Sequence, residues 1–322
     1  GKSGEKVSWF FFLALLYSLL VLYIKEGVEL IDNLLFSFSA GNSFVNITVS
    51  FLMFIIGYIA IQFSALILDR LNRSFMCILL ASFAIMISLL VPHVNVANLK
   101  LVNIISAHDV SIVLPGILTA FGYQIIIPTL RGFCCNPQEL KKVILYGSLI
   151  SLILYSIWTI MIFLSFPTHG PYSLMNINHS SEPVKSLPIA FSFITKKPSS
   201  VNIISCFLFG AIFTSYICIA KSLNDLLKDG LKKFSDFNHG ITLLTLLPPF
   251  FIIYFKSNVF KIALNYAGLS VAILNGLIPI AMYFFGQERL QKIQQPGIVY
   301  FRSIELCLIG FAYILIIVFD LI

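Results

Sequence analysis

Long apolar runs separated by short polar stretches dominate the chain. Nine of them reach or approach the roughly 17–25 residues that a helix needs to cross about 30 Å of hydrocarbon. They lie near 8–30, 44–67, 74–92, 111–131, 143–166, 199–221, 240–255, 259–285 and 298–319. Each is predicted as a transmembrane helix, because within lipid only a helix or a closed barrel satisfies every backbone N–H and C=O. The seventh run is short and carries Pro248-Pro249, which predicts a kink. Between the fifth and sixth runs, "EPVKSLPIAFSFITKK" predicts a short amphipathic helix lying on the outer surface. No other stretch is long enough to form a separate soluble domain.

Composition agrees with the pattern. Of 322 residues, 58% are hydrophobic and 11% charged, and the mean hydropathy is +0.95, whereas a soluble domain carries about a quarter charged residues. The expected fold class is all-α, a polytopic membrane protein forming a single transmembrane domain over 1–322. The net charge of +7 does not point to nucleic acid, because the basic residues lie in short loops where they set topology. With the N-terminus cytoplasmic, the inner side holds 14 of the 21 lysines and arginines, among them Arg70, Arg73, Arg131, Lys141 and Lys142. The outer side holds 7, including Lys25, Lys100 and Lys185, so the positive-inside rule predicts N-terminus in and C-terminus out. The six cysteines form no C-x-x-C pair. Cys77, Cys206, Cys218 and Cys307 lie inside apolar runs and are expected to pack as thiols, while adjacent Cys134 and Cys135 are the one pair open to more. No catalytic residue, metal site or cofactor is expected. The first residue is Gly1 and "GKSGEK" is not a secretory leader, which suggests a chain cut from something longer.

The charge-free fourth run contains "LTAFGYQIIIP", Leu118 to Pro128. A lone membrane glycine usually marks close helix packing. Here Gly122 stands between Phe121 and Tyr123 and is followed by Gln124, with Gly116 on the same run and Pro115 and Pro128 near its two ends. Backbone groups freed at such points are tolerated at membrane depth only where they line a cavity or meet a ligand. Discontinuous helices of this kind build substrate sites in secondary transporters. "AFGYQ" is therefore predicted to be an unwound hinge: Ala120 and Gly122 beside the backbone, Phe121 and Tyr123 as flat apolar walls, and Gln124 holding water or polar backbone.

These segments carry a family resemblance. "PGILTAFGYQIIIPTLRGF" (Pro115 to Phe133) resembles the sixth-helix segment of the hydroxy/aromatic amino acid permeases, close to P-x-x-x-T-S-F-G-F-H-x-x-x-P-S. "FTSYICIAKSLNDLLKDGL" (Phe213 to Leu231) is similar to their eighth-helix segment, and "LYSLLVLYIKEGVELI" (Leu16 to Ile31) to their third. The fullest match is "LLTLLPPFFIIYFKSNVFKIALNYAGLSVAILNGLIPIAMY", Leu243 to Tyr283. The resemblance implies eleven helices in the LeuT-type arrangement of two five-helix inverted repeats plus one. On this chain 8–92 would be the remainder of the first repeat, 111–285 the second and 298–319 the extra helix, with the family's first two helices lacking. Residues 1–322 alone are then expected neither to bind nor to transport tyrosine. Gln124 stands where the family has histidine, so no proton-carrying role is carried over to it, and Ala120 replaces a serine.

By the same resemblance Tyr17 joins the substrate site while Tyr23, next to Lys25, is assigned to an interfacial tyrosine belt. Thr214 and Ser215 match the eighth-helix pair, with back-bonding onto their own helix as the alternative. Glu26 and Glu29 are read as solvated at the outer mouth, and Arg302 with Glu305 as a local pair. "NDLLKD" at Asn224 to Asp229 superficially resembles the metal-diphosphate motif of intramembrane prenyltransferases, which needs a second acidic cluster that the sequence lacks. A second alternative is an inactive membrane scaffold. The expectation is a secondary active transporter, a proton symporter of the bacterial inner membrane, importing an aromatic amino acid and foremost tyrosine by alternating access. Its partners are that amino acid, protons and the lipid bilayer, with no nucleic acid.

Overall fold

The computed structural model describes residues 2–35, 43–96, 98, 113, 116–122, 136–167, 170–179, 183–231, 238–255, 259–283 and 313. The elements are α1 (Lys2–Leu35), α2 (Ser43–Gln62), α3 (Ala65–Leu90), α4 (Pro137–Ser165), α5 (Leu174–His179), α6 (Pro183–Thr195), α7 (Ser199–Gly230), α8 (Asn238–Phe255) and α9 (Val259–Ala272). A π-helical turn, Ile273–Leu277, continues α9. Among the described residues all regular structure is helical. Among the described residues five helices are long and apolar enough to cross a membrane: Gly4–Ile31, Leu66–His93, Pro137–Ser165, Ser199–Gly230 and Val259–Tyr283. The fourth and ninth predicted runs fall largely outside the described residues. The all-α, multi-pass class stands.

Two boundaries differ from the pattern. The second apolar run was expected to continue to 67, but α2 ends at Gln62 and α3 begins at Ala65. Ser64, extended at φ −67 and ψ 153, makes the break, and the amides of Ile67 and Leu68 both donate to its carbonyl. The turn was hidden because neither glycine nor proline marks it. The polar stretch after it then becomes the first turns of α3, where Arg73 pairs with Asp69 at 2.8 Å on the surface. In α8 the helix runs through Pro248 and Pro249. Neither proline has an amide to donate back along the helix.

The chain divides into two compact units. The larger comprises Leu20–Asn103 and Val143–Val259, and α7 is its axis, packed by α2, α3, α6 and α8. Buried positions on α7, such as Ile212, Tyr216, Ala220, Leu223 and Leu227, recur at helical spacing. The phenol of Tyr216, fully buried, crosses to α2 and donates to the Met53 carbonyl at 2.7 Å. It passes over Gly57, where even a methyl group would collide with the ring. Lys221 donates to the Ile61 carbonyl at 3.1 Å, satisfying the last turn of α2. At one end Met86, Leu90, Phe166, Ala190, Phe191 and Ile204 form a closed apolar cluster. It includes α6, so the segment expected to lie on the outer surface is instead packed into the protein through Ala190 and Phe191.

α4 begins at Asn136, whose side chain accepts from the Gln138 amide at 3.0 Å, with Pro137 in the first turn. It ends where the Asn98 amide donates to the Leu164 carbonyl at 3.0 Å. No part of its apolar window is buried, and Leu145, Leu149, Leu152 and Ile160 are exposed. So open an apolar surface is of the kind that suits contact with lipid. Cys77, Cys206 and Cys218 are free thiols and exposed, so they do not fill the core as their apolar setting suggested.

The smaller unit comprises Gly1–Leu19, Ile104–Lys142 and Phe260–Ile322. Its described core joins Leu15 of α1 to Ala267, Val271 and Leu274, with Phe11, Phe12, Leu19, Leu118 and Ile278 packed on it.

Candidate functional site

Residues 116–120 are helical and the helix ends at Phe121 and Gly122. The Phe121 amide still reaches the Ile117 carbonyl at 3.2 Å, but the Gly122 amide takes the Thr119 carbonyl, three residues back, at 3.0 Å. A side chain on Gly122 would stand 3.0 Å from that same carbonyl and 3.6 Å from Val271. The tightness is therefore partly against backbone, which cannot swing aside. Phe121 and Gly122 are half-buried, whereas Ala120 is exposed. Tyr123 and Gln124 lie outside the described residues.

Tyr17 belongs to the same unit, half-buried on the α1 segment whose Leu15 and Leu19 pack with Leu118 and Val271. Two residues past Val271 the helix widens into the π turn, with the Ile278 amide reaching the Ile273 carbonyl. π turns are rare and often sit at functional places. This one holds Asn275, half-buried, and Gly276, whose missing side chain makes room for Tyr313. Nothing in "ILNGL" signals a π turn, so the feature was not legible from spacing.

Thr214 and Ser215 lie in the larger unit and part ways. The Thr214 hydroxyl turns back onto α7, donating to the Gly210 carbonyl at 2.8 Å, which is the back-bonding alternative. It borders a crevice of about 10 Å³ with Leu68, Leu71, Asn72, Phe75, Ile217 and Cys218, room for about one water. Ser215 instead stands beside the Tyr23 hydroxyl of α1. Tyr23 is half-buried on α1 and lies toward α7.

The carboxylates of α1 also need correction. Glu29, read as solvated, is 4% exposed, and its carboxylate takes Lys25 at 3.2 Å. Gly27 to Ile31 are all buried, and five consecutive residues sweep more than a full helical turn, so protein covers α1 on every side there. Only tertiary packing could reveal that enclosure. Asn224 of the "NDLLKD" segment is fully buried against α8, where Thr242 and Thr245 each stand 3.4 Å from its side-chain oxygen. Asp225 lies 3.7 Å from Lys221. Asn224 is therefore occupied in joining α7 to α8, while Asp225 pairs along α7 itself.

With the geometry in place, comparison with known proteins decides the class. A model of the tryptophan/tyrosine permease family matches residues 1–319. The chain belongs to this family. It is a multi-pass membrane permease of amino acids and not an enzyme. Tyrosine-specific transport system 1 of Haemophilus influenzae is 29% identical over 290 residues, covering 88% of this chain and 69% of that protein. Glutamine transporter 2 of Aliivibrio fischeri is 26% identical over 288 residues, covering 88% and 70%. A tryptophan-specific transport protein of Haemophilus influenzae is 26% identical over 305 residues, covering 87% and 69%. No solved structure matches the permease.

Proposed function

We propose that this permease is a proton-coupled importer of aromatic amino acids, foremost tyrosine, in the bacterial inner membrane, with its N-terminus cytoplasmic and its C-terminus outside. The observation that carries the reading is the helix end at Phe121 and Gly122, beside the cluster of Leu118 and Val271. A helix end in the middle of an apolar run suits the charged ends of a zwitterion. An aromatic ring beside them suits a flat substrate side chain. Tyr17, Ala120, Phe121, Gly122, Tyr123 and Gln124 are the residues assigned to that role. Movement is by alternating access, in the repeat arrangement that the family resemblance implies.

A second reading, a small polar amide as substrate, is favoured by the similarity to a glutamine transporter over the same share of the chain. Competition separates the two. Uptake of labelled tyrosine into membrane vesicles from cells making the full-length protein is expected to be suppressed by unlabelled tyrosine and tryptophan and spared by glutamine. Suppression by glutamine alone would favour the second reading.

A further inference from the structure

The corner between α6 and α7 places a pair of lysines above an open apolar stripe. α6 packs into the larger unit through Ala190 and Phe191, which share a cluster with Ile204 of α7, so α6 runs back beside the first turns of α7. Its other face is open. Ile189 and Phe193, four residues apart and so one above the other, are both exposed, Phe193 by 57%. The exposed ring of Tyr172 lies against Phe193, with centroids 4.7 Å apart. Beside them an open cavity of about 490 Å³ is lined by Ser192, Phe193, Lys196, Pro198 and Val201, a volume in the range of small-molecule sites. The corner is tightly built. Thr195 and Ser200, both buried, bring their hydroxyls within 2.9 Å, and the Ser200 hydroxyl donates to the Lys197 carbonyl at 2.6 Å. Among the described residues two non-glycines have left-handed backbone, Lys196 at φ 53° and Tyr172 at φ 64°. One lines the cavity and the other covers its Phe193, and such strain persists only where the surrounding structure imposes it.

The depth of this corner follows from α7. From Pro198 to Ala220 the chain carries no charge, roughly 34 Å at 1.5 Å per residue, which is about one hydrocarbon thickness. Lys197 and Lys221 close that stretch at its two ends. Lys196 and Lys197 therefore stand at the level of lipid headgroups, with Phe193 and Ile189 below them. Histidines aside, the charged residues of the stretch 166–201 are Glu182, Lys185, Lys196 and Lys197, a positive excess. We propose that this corner binds an anionic phospholipid, its phosphate in the cavity against Lys196 and its acyl chain along Phe193 and Ile189. An ammonium serves phosphate as a point charge, basic residues at the membrane surface attract anionic lipid, and aromatic rings settle at the interface. A soluble anion would leave the apolar stripe bare, and a zwitterionic lipid would gain little from the lysines. One anionic lipid answers both features, and it fixes the α6 to α7 corner at the membrane surface.

The test counts bound lipid by native mass spectrometry on the full-length protein, purified in a neutral detergent and mixed with equal amounts of phosphatidylglycerol and phosphatidylcholine. Wild type is expected to retain phosphatidylglycerol in preference. Replacing the pair by Lys196→Gln and Lys197→Gln should lower that preference about fivefold for each lysine removed, whereas Lys196→Arg with Lys197→Arg should keep it. Both lysines are exposed, so the unfolding temperature without added lipid is expected to stay at the wild-type value in each pair of substitutions. Wild type supplies a check that needs no substitution: raising salt from about 0.1 M to about 1 M should weaken the preference by screening. Three outcomes overturn the proposal. The glutamine pair holds phosphatidylglycerol as well as wild type does. Free glycerol phosphate displaces the lipid at equal concentration, which would make the corner a site for a soluble anion. Wild type retains the two lipids equally, as it would if another part of the full-length protein covers this face.

Discussion

Gly57 has no room for a methyl group, because the Tyr216 ring fills that space on its way to the Met53 carbonyl. Tyr216→Phe is expected to cost about 1 kcal/mol, the scale of an interhelical hydrogen bond in a membrane. Gly57→Ala should cost about 1–3 kcal/mol through overpacking. The double variant should lose less than the sum, since removing the hydroxyl relieves the closest collision while the ring carbon 2.9 Å away still presses. Thermal unfolding in detergent as a double-mutant cycle measures the coupling, and strict additivity would mean the two residues do not meet. At Gly122 the sequence signal was strong, because a glycine between aromatics in an apolar run is visible in one dimension. In the full-length protein Gly122→Leu is expected to abolish tyrosine uptake at near-normal expression and insertion, and wild-type uptake by that variant would contradict the hinge. Glu29 was illegible for the opposite reason. Its neighbours in sequence look like a polar mouth, and only packing of α1 on all sides turns it inward.

Among the elements, the apolar runs located α1, α4, α7 and α9 because hydropathy responds directly to the lipid solvent. The α2 to α3 boundary was missed because the turn at Ser64 interrupts no hydrophobicity. α6 was misplaced for a related reason: an amphipathic pattern reports that one face is apolar, not whether lipid or protein covers it. Phe191, fully buried there, makes the distinction measurable. Phe191→Ala is expected to destabilise by about 3 kcal/mol, the cost of emptying a buried aromatic site. A segment lying on the membrane surface would lose almost nothing, so an unchanged unfolding temperature would reject the packed α6. The start of α4 likewise tests the orientation derived from basic residues. A cysteine at Gln138 in a cysteine-free background should react with a membrane-impermeant reagent from the cytoplasmic side alone, and labelling on intact cells would invert the topology.

For the molecule as a whole, the helical, multi-pass class was legible from composition, and the permease family from segments spread along the chain in order. The substrate was not. Relatives of similar likeness carry tyrosine, tryptophan and glutamine in their names, and a few pocket contacts suffice to separate such ligands. The central claim is that the protein uses a proton gradient to concentrate an aromatic amino acid. The most direct measurement is accumulation of labelled tyrosine in native-membrane vesicles under an inward proton gradient, with and without a protonophore. The account predicts saturable accumulation above equilibration that collapses when the protonophore is added. Uptake that merely equilibrates, or accumulation indifferent to the protonophore, would contradict it.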